Sequence, residues 1–190
     1  MNDTTVLNVL SISGSLRRDS LNTAALRAAQ VLAPDAMRIE IFDLSAIPLY
    51  NEDVREQGQP EPVAEFRGRI AAADAVLIAT PEYNYSVPGV LKNAIDWASR
   101  PPEQPFDGKP VAILGASPGR LGTARAQYHL RQTFVFLNAF VLNRPEVMIA
   151  GAHTLFDAAG TLTDETTKTF IGDLLDSLAR WTRRLQAASA

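Results

Sequence analysis

Val9-Leu10-Ser11-Ile12-Ser13-Gly14-Ser15-Leu16-Arg17-Arg18-Asp19-Ser20-Leu21-Asn22 runs a buried strand into a polar loop and the loop into a helix. Together with Val6 and Leu7, the residues Val9, Leu10 and Ile12 form a near-continuous apolar run. Such a run is expected of a parallel strand covered on both faces. The loop then offers the hydroxyls of Ser13, Ser15 and Ser20, one glycine, two arginines and an asparagine. Apolar spacing resumes at Leu21, Ala24, Ala25, Ala28 and Leu32, with the period of a helix. A helix N-terminus carries unpaired backbone N–H groups and a partial positive charge. Ringed by hydroxyls and an arginine, it suits a phosphate. The plainer alternative is a capped strand-to-helix turn with solvated arginines.

Missing patterns narrow the ligand. The loop has no G-x-x-x-x-G-K-[ST], so a P-loop nucleoside triphosphatase is not expected. It has no G-x-G-x-x-G, so the usual pyrophosphate cradle of a dinucleotide is absent. A loop built on hydroxyls suits one terminal phosphate. Flavin mononucleotide is the candidate of that kind at the end of the first strand of an open α/β sheet.

The chain has 190 residues, 46% hydrophobic and 21% charged, which predicts one domain over residues 1–190 with a substantial core. A net charge of −3 gives no footing for a nucleic acid or an anionic membrane surface. There is no cysteine, which excludes disulfides, thiolate catalysis and cysteine metal sites. His129 and His153 are too far apart for the H-x-H or H-x-x-x-H spacing of a metal site, and no metal is expected. Met1-Asn2-Asp3-Thr4-Thr5 lacks the basic start and apolar core of a signal peptide, and no apolar run reaches membrane-spanning length. The expected location is the cytoplasm.

Strands and helices alternate along the rest of the chain. Pro34 ends the first helix, and Arg38–Leu44 alternates like a strand with a more exposed face. Ser45 to Pro62 reads as a long irregular loop, a length that fits a lid or an interface arm; a disordered excursion is the alternative. A helix is predicted over Val63–Ala73, a buried strand over Ala75–Ala79 and a helix over Val87–Trp97. Val111–Ala116 is a further buried strand, Thr123–Leu137 a long helix and Glu146–Ala150 the last strand. The final helix follows Thr163-Asp164-Glu165, with a stripe of Phe170, Ile171, Leu174, Leu175, Leu178, Trp181 and Leu185. Five strand–helix units predict a flavodoxin-like three-layer α/β sandwich with a five-stranded parallel sheet in the order 2-1-3-4-5. In that order the loops Ser13–Asn22, Pro81–Ser86 and Ser117–Gly122 converge at one sheet edge.

At this point the residues resemble a family. Gly14-Ser15-Leu16-Arg17-Arg18-Asp19-Ser20-Leu21-Asn22 is similar to the G-S-x-R-x-x-S-x-N phosphate loop of the NADPH-dependent FMN reductases, within them most of all the bacterial quinone and chromate reductases. Thr80-Pro81-Glu82-Tyr83-Asn84-Tyr85-Ser86-Val87-Pro88-Gly89 resembles their P-E-Y-N-x-S-x-P-G signature, and Ser117-Pro118-Gly119-Arg120-Leu121-Gly122 their third flavin-contacting loop. The resemblance implies bound FMN and hydride transfer from NADPH or NADH to an acceptor such as a quinone, chromate, an azo compound or free flavin. It implies that Ser15, Arg17, Ser20 and Asn22, in a loop with Ser13 and Leu21, hold the FMN phosphate. Pro81, Glu82, Tyr83, Asn84 and Tyr85 would then line the ribityl chain and isoalloxazine ring, with Ser117 and Gly119 approaching the ring. A homodimer or homotetramer is implied as well.

Because the flavin performs the redox step, the protein need supply neither nucleophile nor general base. Backbone N–H groups of small-residue loops can support the reduced ring's charge near N1 and O2. Glu82 is read as a solvated carboxylate with no proton-transfer role, and Pro81 and Asn84 as turn formers. Two further functions stay open from sequence: a flavodoxin-type electron carrier, and a flavin-binding interaction protein without catalysis.

Overall fold

The computed structural model describes residues 5–189; residues 1–4, part of the segment scanned for a targeting signal, lie outside it. Strand β1 (Leu7–Ser13) pairs in parallel with β2 (Met37–Phe42) on one side and β3 (Ala75–Ala79) on the other. Strand β4 (Pro110–Ala116) follows beyond β3, completing the order β2-β1-β3-β4 with all pairs parallel. The fifth position is shared by two short segments. β5 (Phe140–Val141) pairs with the start of β4, and β6 (Val147–Ile149) with its end. The strand expected over Glu146–Ala150 is β6, and β5 is an additional piece ahead of it. Pro145 interrupts them, having no N–H to give to the ladder.

Alternate residues of each strand feed two cores, as the two-residue repeat of a strand demands. Leu7, Val9, Leu77, Ala79, Ala112 and Leu114 pack under helices α1 (Leu21–Leu32) and α6 (Glu165–Ser189), where Leu26, Ile171, Leu174 and Leu178 are buried. Leu10, Ile12, Val76, Ile78, Val111 and Ile113 pack on the opposite face. There they meet α3 (Glu61–Ala72), α4 (Gly89–Ala98) and α5 (Ala124–Phe136) through Phe66, Ile70, Leu91, Trp97, Leu130 and Phe134. Trp181 of α6 is half-buried, and its indole N–H donates to Phe140 O at 3.0 Å, fastening α6 to β5. Since β5 lies beside the start of β4, Trp181 sits away from the loops that leave the strands' carboxyl ends. Phe170 does not join the buried stripe: it is 52% exposed, one residue and so about 100° around the helix from Ile171.

The stretch 45–62 is more ordered than its composition implies. It holds a short helix, α2 (Glu52–Glu56), and ends in the first turn of α3, which starts at Glu61 with Pro62 just inside it. Pro48 O accepts from Asn93 Nδ2 and Trp97 Nε1, both at 2.8 Å, so the segment is tied down on α4. Among the described residues no helix is long and apolar enough to cross a membrane.

Candidate functional site

Three loops leave the carboxyl ends of β1, β3 and β4, and the fold braces them against one another. Gly14 N–H donates to Ala79 O at 2.8 Å, and a Cβ on Gly14 would meet Pro81 Cδ at 3.0 Å and Pro88 Cγ at 3.1 Å. The first loop thus presses directly on the second, closely enough that only glycine is accommodated without a shift. Asn22 connects the first loop to the third: Nδ2 donates to Ala116 O at 3.0 Å, and Oδ1 accepts from Ala116 N at 2.9 Å. Glu82 connects the second loop to α5.

The first loop leaves a helix end open. Ser20 is the N-cap of α1, its Oγ accepting from Thr23 N at 3.3 Å, and Ala24 N reaches Ser20 O. Among the described residues, the N–H groups of Leu21 and Asn22 have no protein acceptor. Arg17 is exposed and forms no ion pair there, while Arg18 pairs only with neighbouring Asp19, at 3.6 Å on the surface. Beside the loop lies a cavity of about 220 Å³ bordered by Arg17, Arg18, Asp19, Ser20, Leu21 and Arg27 on one side and by residues 157–160, Asp157 among them, on the other. Ser13 is employed within the loop: its hydroxyl accepts from Thr23 Oγ1 at 2.8 Å and donates to Ser15 O at 3.3 Å. Ser15 Oγ accepts from Arg17 N at 3.3 Å. Two free N–H groups, an unpaired guanidinium and a hydroxyl-lined turn fit a terminal phosphate.

The second loop is a two-residue hairpin. Tyr83 N donates to Ser86 O at 3.1 Å and Ser86 N to Tyr83 O at 3.0 Å. Asn84 and Tyr85 between them have φ of 50° and 66°. Both central residues of such a tight turn lie at positive φ, which Asn tolerates and a bulky aromatic seldom adopts. Holding Tyr85 there costs on the order of 1–3 kcal/mol. The Arg125 guanidinium lies 3.9 Å from the centre of its ring. Tyr83 and Tyr85 are both exposed, 51% and 64%, leaving two aromatic faces to the outside.

Glu82 is not the solvated carboxylate expected of it. Its side chain is 10% exposed and pairs with Arg125 at 2.9 Å. Its Oε2 accepts from the backbone N–H groups of Arg125 (2.9 Å) and Ala126 (3.1 Å). It therefore caps α5 from 43 residues away, and α5, unlike α1, has its first-turn N–H groups filled by an anion of the protein's own. Burial alone would raise the carboxyl's pKa. The hydrogen bonds from Arg125 and from the backbone of Ala126 and Arg125, with the guanidinium charge, outweigh it and hold the group below its ordinary value.

In the third loop, Ser117 Oγ accepts from Gly119 N at 3.1 Å, and Gly119 O accepts from Gly122 N and Gly151 N. Gly115 cannot carry a side chain, since a Cβ would lie 2.0 Å from Thr123 Oγ1 and 2.3 Å from Thr80 O. At Gly119 a Cβ would meet only Ser117 Oγ, at 3.4 Å, and the residue is exposed. The fold thus does not require glycine at 119: its N–H and carbonyl are bonded within the protein, and the space where a side chain would stand is open to the outside.

Several participants escaped the sequence reading: Thr23, bonded to Ser13; Thr80, whose Oγ1 donates to Pro81 O at 2.8 Å; and His129, whose Nδ1 lies 3.0 Å from Ser86 Oγ. Arg125, three residues past the third loop, stacks on Tyr85. Thr123 and Arg125 directly follow the third loop, so proximity in sequence was the available signal.

Known proteins are similar to this chain in sequence and in fold. The model of the NADPH-dependent FMN reductase family matches residues 7–154. An NAD(P)H-dependent FMN reductase of Pseudomonas aeruginosa is 63% identical over 180 residues, covering 95% of this chain and 97% of the relative. A quinone reductase of Pseudomonas putida is 44% identical over 179 residues, 94% of this chain and 96% of its own. Among solved structures, the flavoenzyme FerB, an NAD(P)H:(acceptor) oxidoreductase from Paracoccus denitrificans, superposes with a TM-score of 0.86 at 38% identity, covering 94% of this chain and 98% of that one.

Proposed function

The chain belongs to the NADPH-dependent FMN reductase family, and from that premise we propose that one FMN-binding domain, residues 1–190, reduces quinones in the cytoplasm at the expense of NADPH or NADH. As a member, it is an NAD(P)H-dependent oxidoreductase that uses FMN. Bound FMN supplies the hydride chemistry that links the nicotinamide to the acceptor. The observation that carries the site is the open start of α1: unfilled N–H groups at Leu21 and Asn22 beside an unpaired Arg17.

Arg17, Ser15 and Ser20, with the N–H groups of Leu21 and Asn22 and in a loop shaped by Ser13, hold the phosphate. Pro81, Glu82, Tyr83, Asn84 and Tyr85 form the wall along the ribityl chain and ring; Glu82 does so by fixing the hairpin to α5. Ser117 and Gly119 bring backbone to the ring; their own N–H groups are held by Ile149 O and Ser117 Oγ, so this segment sets the shape of the wall and is not a charge donor. The exposed faces of Tyr83 and Tyr85 suit a flat aromatic acceptor, which favours quinones; azo compounds and free flavin are flat in the same way, and chromate is a further acceptor to assay. None of these residues needs to move a proton.

The test is to purify the protein, release its ligand by denaturation and identify it by chromatography, then follow NAD(P)H oxidation with and without a quinone. FMN released and quinone-dependent oxidation are expected. FAD alone, or no flavin even after reconstitution, would overturn the cofactor assignment. Bound FMN without NAD(P)H oxidation would leave the electron carrier or the non-catalytic binder instead.

A further inference from the structure

Asn22 lies in the phosphate loop, yet the residue is only 4% exposed and its side-chain amide is taken up by a residue of β4. In β4 the even-numbered backbone groups face β3: Leu114 O accepts from Thr80 N at 3.0 Å. Two residues on, at Ala116, β3 has already turned out of the sheet. There the Asn22 amide takes the place that a strand would have had, accepting from Ala116 N and donating to Ala116 O. A planar amide bonded both ways to one residue fixes the rotation of that peptide as well as its position. Ala116 is the last residue before Ser117, where the third loop begins. The backbone N–H of Asn22 meanwhile remains one of the two open donors at the start of α1.

We propose that Asn22 is a positioning residue rather than a side-chain ligand of the phosphate: it sets the Ser117–Gly119 segment, which approaches the flavin ring, against the loop that holds the phosphate. The proposal rests on the FMN site described above and assigns to one residue the link between the two ends of that ligand. Without the amide, two buried backbone groups of Ala116 lose their partners and the third loop is freed to shift.

Riboflavin, which is FMN without its phosphate, separates this role from phosphate binding. Flavin-stripped wild type, Asn22→Ala, Asn22→Ser and Arg17→Ala are titrated with FMN and with riboflavin, after circular dichroism shows each to be folded. Arg17→Ala weakens FMN and leaves riboflavin unchanged. Asn22→Ala weakens both by the same factor, about tenfold or more, the equivalent of one lost buried hydrogen bond. Asn22→Ser keeps a hydroxyl toward Ala116 and falls between, and it carries the comparison if the alanine variant does not fold. The midpoint potential of bound FMN, measured by dye equilibration, shifts in Asn22→Ala because the third loop no longer holds its place against the ring; in Arg17→Ala it stays at the wild-type value. Loss of FMN affinity alone in Asn22→Ala, or unchanged affinity and potential, would overturn the proposal. Wild type that binds neither flavin would overturn the FMN site itself, a failure visible before any variant is compared.

Discussion

Gly115 and Gly119 are four residues apart and lack a side chain for different reasons. At Gly115 the fold has no space, so Gly115→Ala must displace both the Thr123 hydroxyl and the Thr80 carbonyl. Overpacking of this kind costs about 1–3 kcal/mol, to be read from denaturant unfolding of the flavin-free protein. Gly119→Ala faces open space and should leave stability within about 0.5 kcal/mol of wild type. Its FMN dissociation constant should nevertheless rise, because the methyl stands where the ring approaches; wild-type affinity would remove Gly119 from the site. Arg17 and Ser20 separate in the same way. Arg17 makes no ion pair, so Arg17→Ala should spare stability while raising the FMN dissociation constant roughly ten- to a hundredfold, the worth of a charge-assisted bond. Ser20→Ala also loses the cap on Thr23 N, so unfolding should show a loss of about 0.5–2 kcal/mol besides a smaller loss of affinity.

At the scale of elements, Glu82 joins the β3 loop to α5, and the join depends on pH. Its folded-state pKa lies below that of the unfolded chain. The stability it contributes is therefore complete above the ordinary carboxylate range and is lost as pH falls through the lowered folded value. Glu82→Gln should cost about 1–2 kcal/mol at neutral pH, and less in acid, where the wild-type carboxyl is itself protonated. Unfolding measured across that window should show wild type and variant converging as pH falls. Turnover of the loaded variant should change only modestly, since no proton passes through Glu82; near-complete loss with normal FMN binding would contradict the capping role. This pairing also marks what the sequence could disclose. β1, β3 and β4 were legible because strands buried on both faces must be apolar at nearly every position, and the loops because hydroxyls, prolines and glycines cluster in them. The partners of Glu82 and Asn22 were not: they lie 43 and 94 residues away, and no local pattern announces which backbone a side chain will meet. The additional strand β5 was hidden for a similar reason. Phe140 and Val141 continue the apolar tail of α5 and look like its end until pairing with β4 pulls them into the sheet.

Across the whole molecule, the order β2-β1-β3-β4 brings three chemically distinct loops to one edge, and an open edge leaves part of any ligand there uncovered. The 45–62 segment does not swing freely as a lid. Pro48 and Tyr50 are hydrogen-bonded to α4 through Asn93 and Trp97, and Arg100 lies over the Tyr50 ring at 5.5 Å. Fixed there, it still presents Leu49, 85% exposed, while the last turn of α5 presents Val135 and Phe136, 79% and 87% exposed. Apolar side chains this bare, on one fixed segment and one rigid helix end, are suited to contact with a second copy. We therefore expect a homodimer or homotetramer with symmetric interfaces. Light scattering at micromolar concentration should give a multiple of the 20.6 kDa chain. Leu49→Asp and Phe136→Asp each place a charge in what would be a dry contact. A buried anchor residue is worth at least about 2 kcal/mol, so whichever variant lies in an interface should dissociate at concentrations roughly thirtyfold higher than wild type. A variant that dissociates and also loses flavin on dilution would mean the neighbouring subunit covers the site; one that dissociates with flavin retained would place its interface elsewhere. Wild type that scatters as a monomer with full activity would show that the exposed edge needs no cover.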